Sequence, residues 1–375
     1  MRIFGKIWRG LKTVFLYTVM TLVFVEIGLQ VVVRMGLLDM SLPTYKASNA
    51  RGYVAEVDPD YGIFHLAGVE RDHLTSCFRV INRTNSFGMR DRETTLESDG
   101  SRVVVLGDSF AEGFGVMLED TFHDRLERMT SREHLSFGSS GGVGPTQYWK
   151  IYEKLGSRFD HDAVIVMILP NNDFWDDTPH SVRLSSVAPW RPFLVGEYPD
   201  YTVTYPNKEF EPSKVGTLTF LTTLAKQNIL SFRTLDHYWL MLRARLVTGM
   251  FGVDEGDDLT ESSPYFNYTS AEFDRMRYAL ERIVEIASPR PVVIATIPRH
   301  LDFEVAMTKT NLPLVNALED LASGLGAEYI DLTRPMLAAG GGTYEQFFHE
   351  CDGHWSPAGH AAAAEILAGT SIYRP

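Results

Sequence analysis

The sequence predicts an α/β fold, a mostly parallel sheet covered by helices on both sides, preceded by one apolar helix at the amino terminus. Runs such as AVIVMIL, residues 163–169, are apolar throughout; strands without polar alternation are buried on both faces, as in parallel sheets. Helical patterns separate these runs, as crossover connections require. The amino-terminal stretch 13–33 is largely apolar and follows Arg2, Lys6, Arg9 and Lys12.

Taken in order, residues 1–12 read as a basic cytoplasmic tail and 13–33 as a transmembrane helix. At about 1.5 Å per residue, such a stretch crosses a hydrocarbon core of about 30 Å. The basic flank predicts an amino terminus inside the cell and a body outside the membrane. A cleaved signal peptide and a surface-lying amphipathic helix are the alternatives, and no small-x-small cleavage site follows the run. Glu26 and Gln30, four residues apart, share one helix face that pairs with another helix or lies near the outer interface.

Residues 34–101 form a connector and an accessory segment. DPDYG and CFRVINRTNSFGMRDRE read as extended or turn-like pieces that pack on the body rather than an independent domain. The body runs from 102 to 370. RVVVL is a central strand, TFHDRLERM a helix, and LSF a strand entering GSSGGVG at 138–144. RPVVIATI and AEYIDL are later strands with the helix LVNALEDLAS between them. TSAE at 269–272 has capping-box spacing, and SPAGHAAAAEIL starts with Ser356 as cap and Pro357 in the first turn. An insertion at about 175–268 is rich in aromatics and proline; it holds a helix near LDHYWLMLRARL, and TLTFLTTL is compatible with strand or helix.

The chain has 375 residues, 45% apolar and 22% charged, enough for one large core with accessories. A formal net charge of -13 argues against a nucleic-acid surface. Cys77 and Cys351 permit one disulfide in an exported body, with two separate thiols as the alternative.

GDSF at 107–110 leaves the first body strand. A serine hydroxyl needs a base to accept its proton, and an acid to orient that base. Alone, Ser109 reads more readily as a cap than as a nucleophile. Three further blocks change that: SSGG at 139–142, NND at 171–173, and DGHW at 352–355 before the last helix. In a parallel sheet the first three lie on the carboxyl edge, where ligands bind. Asp108 reads as a structural hydrogen-bonding residue and His360 as a packing one. Trp175, Trp190, Trp239 and Trp355 individually read as packing residues, with sugar stacking or an acyl pocket as the alternative.

These four ordered blocks resemble the SGNH, or GDSL-like, serine hydrolase superfamily. NSFGMRD and the amino-terminal helix look like its membrane-attached bacterial branch. The resemblance implies a three-layer α/β/α fold with Ser109 as nucleophile, His354 as base and Asp352 orienting it. It implies an oxyanion hole of Ser109 N–H, Gly141 N–H and the Asn172 side chain, with Gly142 as the one-residue alternative to Gly141. No metal or cofactor is implied. Many members have D-x-x-H where this chain has D-x-H, a spacing similar to that of polysaccharide-acetylation relatives, and Pro170 stands where glycine is frequent. The expected activity is that of an ester hydrolase at the bacterial cytoplasmic membrane, its body periplasmic. It would remove acyl, chiefly acetyl, groups from an envelope or secreted polysaccharide; lipid and small acyl esters are further candidate substrates. An O-acyltransferase, and an inactive carbohydrate-binding or envelope-assembly protein, are the alternatives.

Overall fold

A computed structural model describes residues 2–35, 37, 54–58, 60–74, 78–178, 191–205, 217–218, 221–222, 225, 229–232, 234–235, 259–350 and 352–374. Cys77, Cys351, Trp190, Trp239 and the insertion beyond Leu235 as far as residue 258 lie outside the described residues. The chain divides into two units: Met1–Gly52, Asp72–Arg79 and Lys214–Gly256 make up the smaller, and the remainder the larger.

In the smaller unit, α1 spans Arg2–Arg34. Its stretch Gly10–Arg34 is long and apolar enough to cross a membrane by length and composition. Gln30 Nε2 donates to Glu26 Oε1 at 2.6 Å, and Arg34 donates in turn to Gln30. This polar ladder follows the four-residue spacing of one helix face. The Glu26 carboxylate also accepts from the backbone N–H groups of Leu230 and Ser231, at 3.0 and 2.8 Å. The Glu26–Gln30 face therefore meets a second helical stretch, of which 230–232, 234 and 235 are described. TLTFLTTL resolves to helix at residues 217, 218, 221 and 222.

The larger unit is an α/β body around five strands: β1 Arg102–Gly107, β2 Glu133–Gly138, β3 Ala163–Ile168, β4 Val292–Thr296 and β5 Glu328–Asp331. Every pairing is parallel, and the spatial order is β5-β4-β3-β1-β2. All six residues of β1 and all six of β3 are buried, which is why these strands read as unbroken apolar runs.

Successive side chains along a strand point to opposite faces, so each strand feeds two cores. Val104, Leu106, Val164 and Val166 pack with α4 (Pro145–Lys154), α6 (Ser270–Ala287) and α8 (Pro313–Leu325). Val103, Val105, Ile165 and Met167 pack with α3 (Phe122–Thr130), α7 (His300–Thr308), α9 (Thr333–Ala339) and α10 (Pro357–Leu367). Helices thus cover both faces. Two shorter helices, α2 (Ser109–Glu112) and α5 (Pro170–Asp176), leave β1 and β3.

The helix starts follow local chemistry. Thr269 and Glu272 form both bonds of the capping box at α6, and Ser356 caps α10 with Pro357 in its first turn. Thr121 caps α3, its hydroxyl accepting from Asp124 N–H at 3.3 Å. The accessory segment contributes an antiparallel hairpin, Val54–Asp58 with Gly62–His65, and Gln147 of α4 donates to the Ile63 carbonyl. Before α10, a second hairpin pairs β6, Phe348–His349, with β7, Asp352–Trp355.

Candidate active site

The strand order sets where a site can form. From β1 the chain crosses to β2 on one side, and β3 lies on the other. Connections therefore diverge beyond the carboxyl ends of β1 and β3, leaving the crevice where open α/β sheets bind ligands. Ser109 follows β1, and Asn171 and Asn172 follow β3.

Asp108 makes the turn out of β1. Its backbone is extended, and its carboxylate accepts from Phe110 N–H at 2.9 Å, capping α2. Burial raises its pKa to about 6, against the pull of that hydrogen bond. This is the hydrogen-bonding role expected of it. Gly138, at the end of β2, lets α2 approach: a Cβ there would lie 2.2 Å from Glu112 N.

Ser109 Oγ lies 2.7 Å from His354 Nε2. On the opposite edge of the ring, His354 Nδ1 hydrogen-bonds Asp352 Oδ1, and the His354 backbone N–H donates to the same oxygen at 3.1 Å. The D-x-H spacing works because both residues sit on β7, where positions i and i+2 project to one side. Burial alone would raise the Asp352 pKa, but the hydrogen bonds and charge of His354 hold it below the ordinary value. The rings of Phe110 and Phe114 flank the imidazole at 4.8 and 4.3 Å between centroids.

His360 stands apart from this line. Its Nδ1 accepts from Phe122 N–H at 3.2 Å, and its ring stacks on Phe122. Burial holds its pKa well below the ordinary histidine value, so it is a neutral packing group. Trp355 is fully buried against Phe110 and Phe122.

The chain behind Ser109 is fastened by residues that the motifs did not single out. Arg90 is buried and donates to the carbonyls of Glu112, Gly113 and Val116. Glu112 is buried as well; its carboxylate accepts from Ser140 N–H and faces His65 Nε2 at 3.4 Å. Burial would raise its pKa, but His65 and Arg90 lower it strongly. A carboxylate three residues after Ser109 thus ties the serine's helix to the glycine block. Arg90 lies within NSFGMRD, but its partners are backbone carbonyls, which leave no mark in the sequence.

In the glycine block, Gly141 and Gly142 both have positive φ, 129° and 73°. A Cβ at Gly142 would come within 3.1 Å of Asp176 Oδ1, and Asp176 pairs with Arg191 at 3.1 Å. Thr146 at the start of α4 is held by the Asp177 carboxylate, its hydroxyl donating at 2.9 Å. The asparagine block opens α5 at Pro170. Asp173 accepts from Leu169 N–H at 2.9 Å and from the Tyr148 hydroxyl at 2.7 Å. Asn171 Oδ1 accepts from Arg299 at 2.7 Å, and Arg299 pairs with Asp302. Asn172 lines a cleft of about 310 Å³ with Asn171, Trp175, Ser262 and Asn267. Ser109, His354 and Asp352 therefore form one hydrogen-bonded line, while Asn172 opens onto a cleft and Gly141 sits in the loop after β2. Among the described residues, no group of three or more His, Cys, Asp or Glu side chains forms a metal-binding cluster.

No protein-family model matches the chain, and no curated protein does. Several solved structures are similar. A member of the lipolytic protein G-D-S-L family from Veillonella parvula is 12% identical, with a TM-score of 0.38 over 72% of this chain and 98% of its own. A lipase/acylhydrolase from Enterococcus faecalis is 12% identical, with a TM-score of 0.37 over 71% of this chain and 93% of its own. A variant of an acetyl xylan esterase from Geobacillus stearothermophilus is 12% identical, with a TM-score of 0.36 over 73% of this chain and 95% of its own.

Proposed function

We propose that this chain is a serine ester hydrolase of the SGNH, or GDSL-like, kind, with Ser109 as nucleophile, His354 as base and Asp352 orienting it. The observation that carries the reading is the 2.7 Å contact between Ser109 Oγ and His354 Nε2, with Asp352 on the far edge of the ring. A hydroxyl, an imidazole and a carboxylate in that sequence are the parts of an activated nucleophile.

In this mechanism Ser109 Oγ attacks the ester carbonyl as His354 Nε2 takes its proton. Ser109 N–H, Gly141 N–H and the Asn172 amide stabilise the tetrahedral oxyanion. His354 then protonates the leaving alcohol, giving an acyl-serine. Water, deprotonated by His354, attacks that ester, and His354 returns the proton to Ser109 Oγ as the acid leaves.

The substrate proposed is an acylated, chiefly acetylated, envelope or secreted polysaccharide. The half-exposed Trp175 and the polar Asn171, Asn172 and Asn267 on the cleft walls suit a sugar ring. Anchoring by α1, amino terminus inside, would hold the body at the outer, periplasmic side of a bacterial cytoplasmic membrane.

The test is the full chain in detergent micelles with a short-chain aryl ester and with acetylated glycans, beside Ser109→Ala. Turnover that disappears in the variant is expected; equal turnover would refute serine chemistry. Acetate released to water marks hydrolysis, whereas acyl label retained on an acceptor glycan marks transfer.

A further inference from the structure

A simple anchor needs one apolar helix, yet α1 has company. We propose that the insertion residues 229–232, 234 and 235 enter the bilayer beside α1, and that the groove between them and α1 holds a phospholipid acyl chain. The inference rests on the reading of α1 as membrane-spanning.

Depth is the first argument. The groove is about 560 Å³, lined by Val19, Leu22, Val23 and Ile27 of α1 and by Ile229 and Phe232 of the insertion. Its α1 wall centres near Val23, thirteen residues after Gly10 and eleven before Arg34 in the apolar stretch. At about 1.5 Å per residue that is the middle of a hydrocarbon core of about 30 Å. An apolar groove at that depth meets acyl chains rather than water. On the insertion side of the groove, Ile229, Phe232 and Leu235 are 42%, 39% and 70% exposed.

Glu26 supplies the second, independent argument. It is the only acidic residue between 10 and 34, and a carboxylate within hydrocarbon requires partners. It finds them in the N–H groups of Leu230 and Ser231 and in the Ser231 hydroxyl, the last at 2.8 Å. Those N–H groups open the second helical stretch, and in lipid they would lack water to bond. Each side supplies what the other lacks where water is absent. With the amino terminus inside, Glu26 lies on the outer half of α1, so the insertion dips into the outer leaflet.

The test uses the full chain in phosphatidylethanolamine–phosphatidylglycerol vesicles doped with a phospholipid carrying a diazirine on its acyl chain. After photolysis, mass spectrometry maps the adducts. Adducts on both α1 and the groove residues Ile229, Phe232 and Leu235 are expected. Glu26→Ala should keep those on α1 and reduce those on the insertion side at least several-fold, with the isosteric Glu26→Gln between. Adducts confined to α1, with Ile229, Phe232 and Leu235 labelled instead by a water-soluble carbene probe, would overturn the proposal. So would cross-links from the groove to a second copy in place of lipid, or a Glu26→Ala pattern identical to wild type. Absence of adducts on α1 itself would mark the separate failure of the anchor reading and remove the proposal with it.

Discussion

Replacing Asp352 with asparagine changes few atoms but removes the negative charge behind His354. When His354 takes the serine proton, an imidazolium forms against the carboxylate that its Nδ1 hydrogen-bonds, with charge centres taken as about 4 Å apart. At that separation a pair of charges is worth about 4 kcal/mol at an effective dielectric of about 20, and about 1 kcal/mol in bulk water. The side chains of His354 and Asp352 retain 23% and 25% of their exposure, so neither limit applies. An intermediate value of about 2–3 kcal/mol corresponds to roughly 30- to 150-fold in rate. The amide can also turn its NH2 toward Nδ1, which would leave the proton on Nε2, the nitrogen that must accept from Ser109. The expected total fall in kcat/KM is therefore about 10²- to 10⁴-fold, with the melting temperature little changed. The assay is hydrolysis of a short-chain aryl ester under pseudo-first-order conditions, with thermal unfolding measured in parallel. A folded Asp352→Asn protein whose kcat/KM stays within about threefold of wild type, a difference under 1 kcal/mol, would refute Asp352 as the orienting acid.

Two further outcomes follow from the buried charges. Arg90→Met keeps the aliphatic stem but strips donors from the carbonyls of Glu112, Gly113 and Val116; a loss of about 3–5 kcal/mol is expected on breaking a buried charged contact of this kind, measured by denaturant unfolding, and a loss below about 1 kcal/mol would show the clamp to be idle. Burial raises Asp91 and Asp177 to about 7 and Asp173 well above its usual range, so the folded body holds protons that the unfolded chain has released, and stability falls as pH rises through those values. Below about pH 6.5 the trend is opposed by histidines such as His123 and His360, whose pKa values burial lowers. The melting temperature should therefore decline between about pH 6.5 and 8, and Asp177→Asn should flatten the slope; a rise over that window would contradict the assignment.

The sheet was legible because its strands are buried on both faces: Val103 to Leu106 and Ala163 to Ile168 have no solvent side on which to place polar residues. The caps at Thr269 and Ser356 were legible because capping is a local exchange between neighbouring residues. Helix α4 was not. Seven of its ten residues are buried, so PTQYWKIYEK shows no alternation of an apolar and a polar face. In the candidate site, Ser109, Asp352 and His354 stood out because a hydroxyl, a carboxylate and an imidazole are visible in the sequence as residue types. Arg90 and Arg299 did not, since the first grips carbonyls that every residue possesses, and the second reaches Asn171 across 128 positions. The D-x-H spacing became intelligible only with β7, because two residues share a side in a strand but not in a helix.

The bond between Ser109 and His354 joins positions 245 apart. During synthesis the serine and its cap emerge with β1, but the imidazole arrives only after β5, on β7 of the last hairpin. Until then the hydroxyl lacks a base and is an ordinary alcohol. Under the proposed mechanism, activity is thus tied to delivery of the last strand, and a chain interrupted before residue 352 would carry the serine without its base. Under that mechanism, hydrolysis would report that the body has been assembled from β1 through β7.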